Sequence, residues 1–331
     1  MRNSHEEKSA KLGRREILTA ALASALQPAF AAAPPWPQHP IKLVIAYPPG
    51  GGGDAAGRPL ALALEKNLGV PVILDYRPGA GGTIAAQAVT NSKNDGTVIF
   101  LADNGAISVA PSYRSVGYMP RDFTYIGGIG ELPLVLVTNP AIPANDIREL
   151  AQLSRSRSKG LSYASAGVGS IPHLAAELMK QEQRIVAEHI AYKGTGVAVT
   201  DLIAGVVDYA LLAPSGVMQH VASGRLKALA ITSRNRFSGM PQVPTVRELG
   251  FPSLQTAYIS GLLAPRNLPA AVTARLSSAF QAVMADPEFK KTLESTGLLV
   301  EYRNGSQAQE VFENDLKKWR NLIVTAKLKL D

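Results

Sequence analysis

Two patterns alternate along most of this chain, a short β-branched run and then an amphipathic helical stretch. That alternation limits the fold more than any other feature. "IKLVIAY" (41–47) reads as a strand and "RPLALALEKNLG" (58–69) as a helix with Leu60, Leu64 and Leu68 on one face. "PVILDY" (71–76) is the next strand, followed by a helix over 82–92 and a strand over 95–102. A looser stretch spans 103–132. The rhythm then restarts with strands over 133–140, 161–165, 186–192, 207–213 and 226–232, and helices over 146–153, 172–181, 196–204 and 215–223. A strand near 255–264 precedes a helical tail over 270–285, 287–295 and 306–327. Strand–helix–strand units close by right-handed crossovers, so mainly parallel sheets covered by helices on both faces are expected. Two such runs and a tail predict an α/β chain of two lobes, the second inserted into the first. Lobe 1 is expected over 41–130 and 260–331, and lobe 2 over 131–259. Crossing segments are expected near 128–135 and 255–263. A ligand belongs where strand C-termini of the two lobes face each other.

The 331 residues suit two lobes, and with 46% hydrophobic and 18% charged residues both can bury a core. The net charge of +8 is spread along the chain, with no basic stripe interleaved with aromatics, so no nucleic-acid partner is expected. With no cysteine, disulfides, thiolate metal sites and cysteine nucleophiles are excluded. His39, His173, His189 and His220 lack paired metal-ligand spacing, and no metal is expected. Residues 1–31 read as an export signal: a polar start ending in "GRREIL", an apolar stretch, and Ala29-Phe30-Ala31 as a small-x-small cleavage site. Arg14-Arg15 leaves the twin-arginine and general secretory routes both open. A proline-rich linker, 32–40, follows, and the mature protein is expected to be soluble and periplasmic.

"AYPPGGGGDAAGRPLA" (46–61) carries the most chemistry. As a P-loop it fails, because Arg58-Pro59 stands where Lys and Ser or Thr are required. As a dinucleotide fingerprint it has Gly51, Gly53 and Ala56 in place, with Asp75 ending the next strand. Pro48 and Pro49 delay the turn, however, and Asp54 would repel a pyrophosphate. A third reading needs only backbone: free N–H groups and a helix N-terminus seat a carboxylate, with Asp54 as a cap. Pro59 then requires either an irregular first turn or a helix that starts near it. "YASAGVGSIPHLAAEL" (163–178) repeats the device, with Gly167 and Gly169 freeing the backbone and Ser170 as N-cap. "RPGAGGT" (77–83) is a third such loop, with Thr83 as its cap. No catalytic residue is expected. "YASAG" is one glycine short of a hydrolase elbow, and His173 and Asp208 come in the wrong order for that triad.

Taken in order and spacing, "IKLVIAYPPGGGGDAAGR", "DYRPGAGGTIAA", "NDGTVIFLA", "YASAGVGSIPHLAAEL", "HIAYKGTGVAVTDLIAGVVD", "LKALAITSRNRFSGMPQVPTVRELGFP" and "GLLAP" resemble one family over about 40–325. That family is the extracytoplasmic substrate-binding receptors of tripartite tricarboxylate transporters. The resemblance implies a two-lobed, flytrap-like periplasmic-binding-protein fold of type II that closes on a small organic carboxylate. It implies membrane transporter subunits as partners, no cofactor, and a monomer. Carried onto this chain, the ligand contacts fall on Tyr47, Pro49, Gly50, Gly51 and Asp54, on Gly82 and Thr83, and on Ala166, Gly167, Gly169, Ser170 and His173, with Asn104 and Asp208 added. Gly53, Gly57 and Pro59 depart from the family pattern: Gly53 removes a possible side-chain donor, and Gly57 and Pro59 predict a loosened first turn. Two other readings are a sensor subunit with the same clamp and an NAD-linked enzyme.

Overall fold

The computed structural model describes residues 36–49, 52–192 and 194–330. The export signal and linker residues 32–35 therefore lie outside the described residues, as do Gly50 and Gly51. Among the described residues no helix is long and apolar enough to cross a membrane.

The first sheet has six strands in the order β11-β4-β10-β3-β1-β2. These are β1 (Ile41–Ile45), β2 (Val72–Tyr76), β3 (Val98–Asp103), β4 (Phe123–Pro133), β10 (Ala257–Pro265) and β11 (Leu299–Asn304). The second sheet has five, in the order β7-β6-β8-β5-β9. They are β5 (Val135–Thr138), β6 (Leu161–Ser165), β7 (Ala187–Ala191), β8 (Tyr209–Leu212) and β9 (Lys227–Ile231). Both sheets are mixed, where mainly parallel ones were expected. β1 pairs parallel with β2 and β3, and β6 with β7 and β8, but β10, β4 and β11 run antiparallel, as does β5 between β8 and β9.

Helices cover both faces of both sheets. In the first, α1 (Gly52–Leu68), α8 (Ala270–Ala285) and α9 (Pro287–Glu294) cover one face. On the opposite face lie α2 (Thr83–Thr90), a π-helix at Gly105–Val109 running into α3 (Ala110–Tyr113), and the start of α10 (Gly305–Thr325). In the second, α4 (Ile147–Ser156) and α5 (Ile171–Gln183) pack against one face, with α6 (Thr195–Ile203) and α7 (Pro214–Ala222) on the other. The strands show why. On β8, Tyr209 and Leu211 enter one core while Ala210 and Leu212 enter the other, the period-two alternation of a sheet buried on both sides.

The stretch 103–132 is more regular than its composition suggests, because it holds the π-helix, α3 and the eleven-residue β4. Gly127, Gly128 and Gly130 on β4 weaken a sequence-based strand signal, yet Gly127 and Gly130 are sterically required, a Cβ at Gly130 falling 2.2 Å from the Leu299 carbonyl oxygen. A Cβ at Gly127 would sit 2.7 Å from Phe280. β11 was not foreseen either.

The chain passes from the first sheet to the second at Leu134 and returns between Ile231 and Ala257. Thr232 ties these crossings. Its N–H donates to the Leu134 carbonyl at 2.8 Å. Its Oγ1 accepts from the Leu134 N–H at 2.8 Å and donates to the Thr256 carbonyl at 2.5 Å. The tail departs from expectation: Ala308 and Phe312 belong to the first-sheet core, whereas Trp319, Leu322 and Leu330 pack into the second-sheet core. α10 therefore joins both halves.

Candidate functional site

The first glycine loop follows β1. Ala46 is buried, Tyr47 half-buried and Pro49 exposed. α1 begins at Gly52 and runs unbroken through Pro59, so the first turn is not loosened and the helix does not wait for the proline. Gly57 lets α1 approach β1 closely, since a Cβ there would lie 2.5 Å from Ile45 Cδ1. Asp54, expected as the N-cap, lies inside the first turn instead. Its carboxylate is 6% exposed, accepts from the Tyr76 hydroxyl at 2.5 Å and pairs with Arg58 Nε at 2.8 Å. It therefore locks α1 to β2, and the helix N-terminus favours its charge.

In the second loop, Gly79, Ala80, Gly81 and Gly82 all have positive φ. Gly82 is the α2 N-cap and packs tightly, with a Cβ there meeting Ala106 and Ala46 Cβ atoms at 3.1 and 3.2 Å. Thr83, expected as the cap, is the first helical residue. Its hydroxyl donates to the Ala80 carbonyl at 3.0 Å, and Arg114 Nη2 donates to the same oxygen at 2.9 Å.

The second lobe supplies the loop between β6 and α5. Ser170 is the N-cap, as the sequence indicates, with its Oγ accepting from the His173 N–H and donating to the Gly167 carbonyl at 2.7 Å. The Gly169 N–H donates to His173 Nδ1 at 3.0 Å, and the Gly167 N–H to Ser165 Oγ at 3.1 Å. Among the described residues the N–H groups of Ala166, Val168 and Ile171 donate to no protein acceptor. Three free donors thus gather at the N-terminus of α5, where the helix dipole adds positive potential.

Behind this loop stands an aromatic column. His173 stacks on His189 at 3.9 Å between ring centroids, His189 on Tyr163 at 4.8 Å, and Tyr163 on Tyr209 at 5.5 Å. Burial lowers both imidazole pKa values, His173 to about 4 with further lowering from His189. His173 is therefore neutral near pH 7. With Nδ1 accepting from Gly169, its proton sits on Nε2. Ser165 is fully buried and bonded to His189 Nε2 at 2.7 Å, so it is no exposed nucleophile.

Two expected contacts sit elsewhere. Asn104 is fully buried and engaged: its Nδ2 donates to the Ala257 carbonyl at 3.1 Å and Asp315 Oδ2 at 2.9 Å, and its Oδ1 accepts from the Ile259 N–H. It pins the returning strand and α10. Asp208 precedes β8, at the sheet end opposite the α5 loop. It accepts from the Ser162 N–H at 2.7 Å and pairs with Arg157 at 2.9 Å. Both are structural residues by this geometry.

Residues missed by sequence reasoning complete the surroundings. Tyr113 on α3 meets the α5 loop, and a Cβ at Gly169 would lie 2.9 Å from its hydroxyl. Asp103, at the C-terminal end of β3, adds to the burial that holds the Tyr47 pKa well above its ordinary value. Its signal was available: it is the first charged residue after a buried strand. A cavity of about 540 Å³ opens elsewhere, between α6 and α7, lined by Thr195, Val199, Ile203, Ser215, His220 and Arg225.

The chain matches the model of the tripartite tricarboxylate transporter family receptor over residues 56–328. It is 31% identical to the UPF0065 protein of the tcbD-tcbE intergenic region of Pseudomonas sp. strain P51, with 96% of each chain covered. It is also similar to two solved structures. One is the periplasmic binding protein BugD, with 31% identity, TM-score 0.74, and 89% of this chain and 99% of that one covered. The other is MatC from Rhodopseudomonas palustris with bound malate, with 27% identity, TM-score 0.74, and 87% and 100% covered. Matched through both sheets and nearly all its length, the chain belongs to the tripartite tricarboxylate transporter receptor family, a family of solute-binding receptors and not of enzymes.

Proposed function

We propose that this receptor holds a small organic carboxylate between its lobes and delivers it to the membrane subunits of a tripartite transporter. The observation that carries this reading is the α5 loop. Ala166, Val168 and Ile171 offer free N–H groups at a helix N-terminus beside a neutral imidazole. A carboxylate satisfies such donors without a cation. In this reading Tyr47, Pro49, Gly50, Gly51, Gly82 and Thr83 form the opposing jaw, while Asp54 braces that jaw from within. The MatC structure, which contains malate, supports the ligand class. Lobe 1 then comprises 41–130 and 260–331 and lobe 2 comprises 131–259, with the end of α10 also packing against the second-sheet core. The receptor acts as a monomer and reaches its compartment by the general secretory or the twin-arginine route.

Thermal-shift and calorimetric titration of the mature protein against dicarboxylates, tricarboxylates and aromatic acids tests the reading. A true ligand at 100 times its Kd stabilises by about 2.7 kcal/mol. Ala166→Pro removes one donor, and an affinity loss of about tenfold is expected. Stabilisation by neutral amides alone, with no acid shifting the melt, refutes the carboxylate.

A further inference from the structure

α6 and α7 start at the same edge of the second sheet, because each follows a strand and both strands, β7 and β8, run parallel to β6. Near that edge the helices touch. A Cβ at Gly216 would lie 3.1 Å from Thr195 Cγ2, so glycine there admits the close approach. Past this contact the cavity of about 540 Å³ opens between them. It reaches Ile203, the last residue of α6, and His220 and Arg225, at and beyond the end of α7. Its volume falls in the range of small-molecule sites, about 300–1,000 Å³. It shares no lining residue with the contacts proposed for the receptor's ligand.

The lining divides by chemistry. The floor is apolar: Val199 belongs to the second-sheet core and Ile203 packs against it. Thr195 and Ser215, at the helix starts, carry hydroxyls that bond to no protein partner among the described residues. At the other end stands one full charge, Arg225. Its side chain is exposed, and its Nε donates to Ser223 Oγ at 3.2 Å. Among the described residues no carboxylate pairs with it. No Asp or Glu lines the cavity. α7 has no acidic residue, and Asp201, the one acid of α6, accepts from the Tyr192 hydroxyl at 2.7 Å instead. A cation at one end, hydroxyls at the other and an apolar floor between them suit an amphipathic anion. The attraction of an exposed guanidinium is modest, so burial on the floor supplies most of the affinity and Arg225 supplies the preference for charge.

We propose that the groove between α6 and α7 is a second binding site, for a small monocarboxylate with an apolar body. Its carboxylate meets Arg225 and its body lies on Val199 and Ile203.

Titration of the mature protein, labelled at isoleucine and valine methyl groups, with phenylacetate, phenylacetamide and succinate tests this by nuclear magnetic resonance. The methyls of Val199 and Ile203 report the groove, and those of Val168 and Ile171 report the α5 loop. Phenylacetate is expected to shift the first pair along a saturable curve, about three- to tenfold more tightly than phenylacetamide. Succinate, which has no apolar body, is expected to bind there more weakly than phenylacetate. Arg225→Gln is expected to remove the preference for the acid over the amide, and Arg225→Lys to retain part of it. Unchanged methyl spectra away from the groove confirm that both variants fold. Ala166→Pro, which alters the α5 loop, is expected to leave the groove titration as it was. Equal affinity for acid and amide, or a preference that survives Arg225→Gln, overturns the anion site. Absence of any shift at Val199 and Ile203 overturns the groove altogether, and a response at Val168 and Ile171 alone does so while leaving the carboxylate receptor standing.

Discussion

Thr232 shows how much rests on one hydroxyl. It accepts from Leu134 on the outgoing crossing and donates to Thr256 on the return, and its surroundings are buried. Thr232→Val keeps the shape and strands one N–H and one carbonyl. A loss of about 1–3 kcal/mol in urea-unfolding stability is expected. Gly57 is a second such point. Gly57→Ala drives a methyl to 2.5 Å from Ile45 Cδ1, and overpacking of this kind costs about 1–3 kcal/mol. Ile45→Val removes the clashing carbon. The double variant is therefore expected to recover much of that loss, a coupling that a double-mutant cycle measures. His173 sets a pH dependence. Its folded pKa of about 4 lies below the ordinary value of 6.5, so between these the unfolded chain binds the extra proton and stability falls as pH falls. Asp315 acts oppositely. Burial raises its pKa from 3.8 to about 6, so its ionisation lowers stability as pH rises through that window. The two partly offset in the native protein. His173→Gln is expected to leave a stability that decreases from pH 4 to 6, and Asp315→Asn one that increases more steeply. Denaturation at a series of pH values reads both.

At the scale of elements, α10 works hardest. Phe312 anchors it in the first-sheet core, and Trp319 and Leu322 anchor it in the second. Between these anchors Asp315 meets Asn104, and Lys318 donates to the Gln255 carbonyl at 2.5 Å, beside the returning crossing. The helix is thus a third link between the halves, though it is not a strand of either sheet. Trp319→Ala empties a fully buried indole site and is expected to cost about 3–5 kcal/mol. Protection of second-sheet amides from hydrogen exchange should fall with it, although residue 319 follows the first-sheet strands in sequence. Loss of protection confined to the first sheet contradicts this packing. Element types were legible where hydrophobic periodicity was strong, as in α5 and α8. β11 and β4 were not, because exposed polar residues and glycines break the strand pattern, and what holds those strands is pairing with residues far along the chain.

At the scale of the whole molecule, a family of periplasmic binding proteins places this chain outside the cytoplasm, and its two mixed sheets are the framework such receptors share. The glycine loops, their place between strand and helix, and the N-cap at Ser170 could be read from local order, since turn and cap preferences depend on neighbouring residues. The alternation of strands and helices determined the α/β class for the same reason. What only the tertiary structure decided depends on groups distant in sequence. It turned Asn104 and Asp208 into structural clamps, because their partners lie at Ala257 and Asp315 for the one and Arg157 and Ser162 for the other. It made five of the nine strand pairings antiparallel and sent the tail across both cores. It also brought Tyr47 and Gly81, from two separate loops, close to Gly105, a proximity that no local pattern encodes.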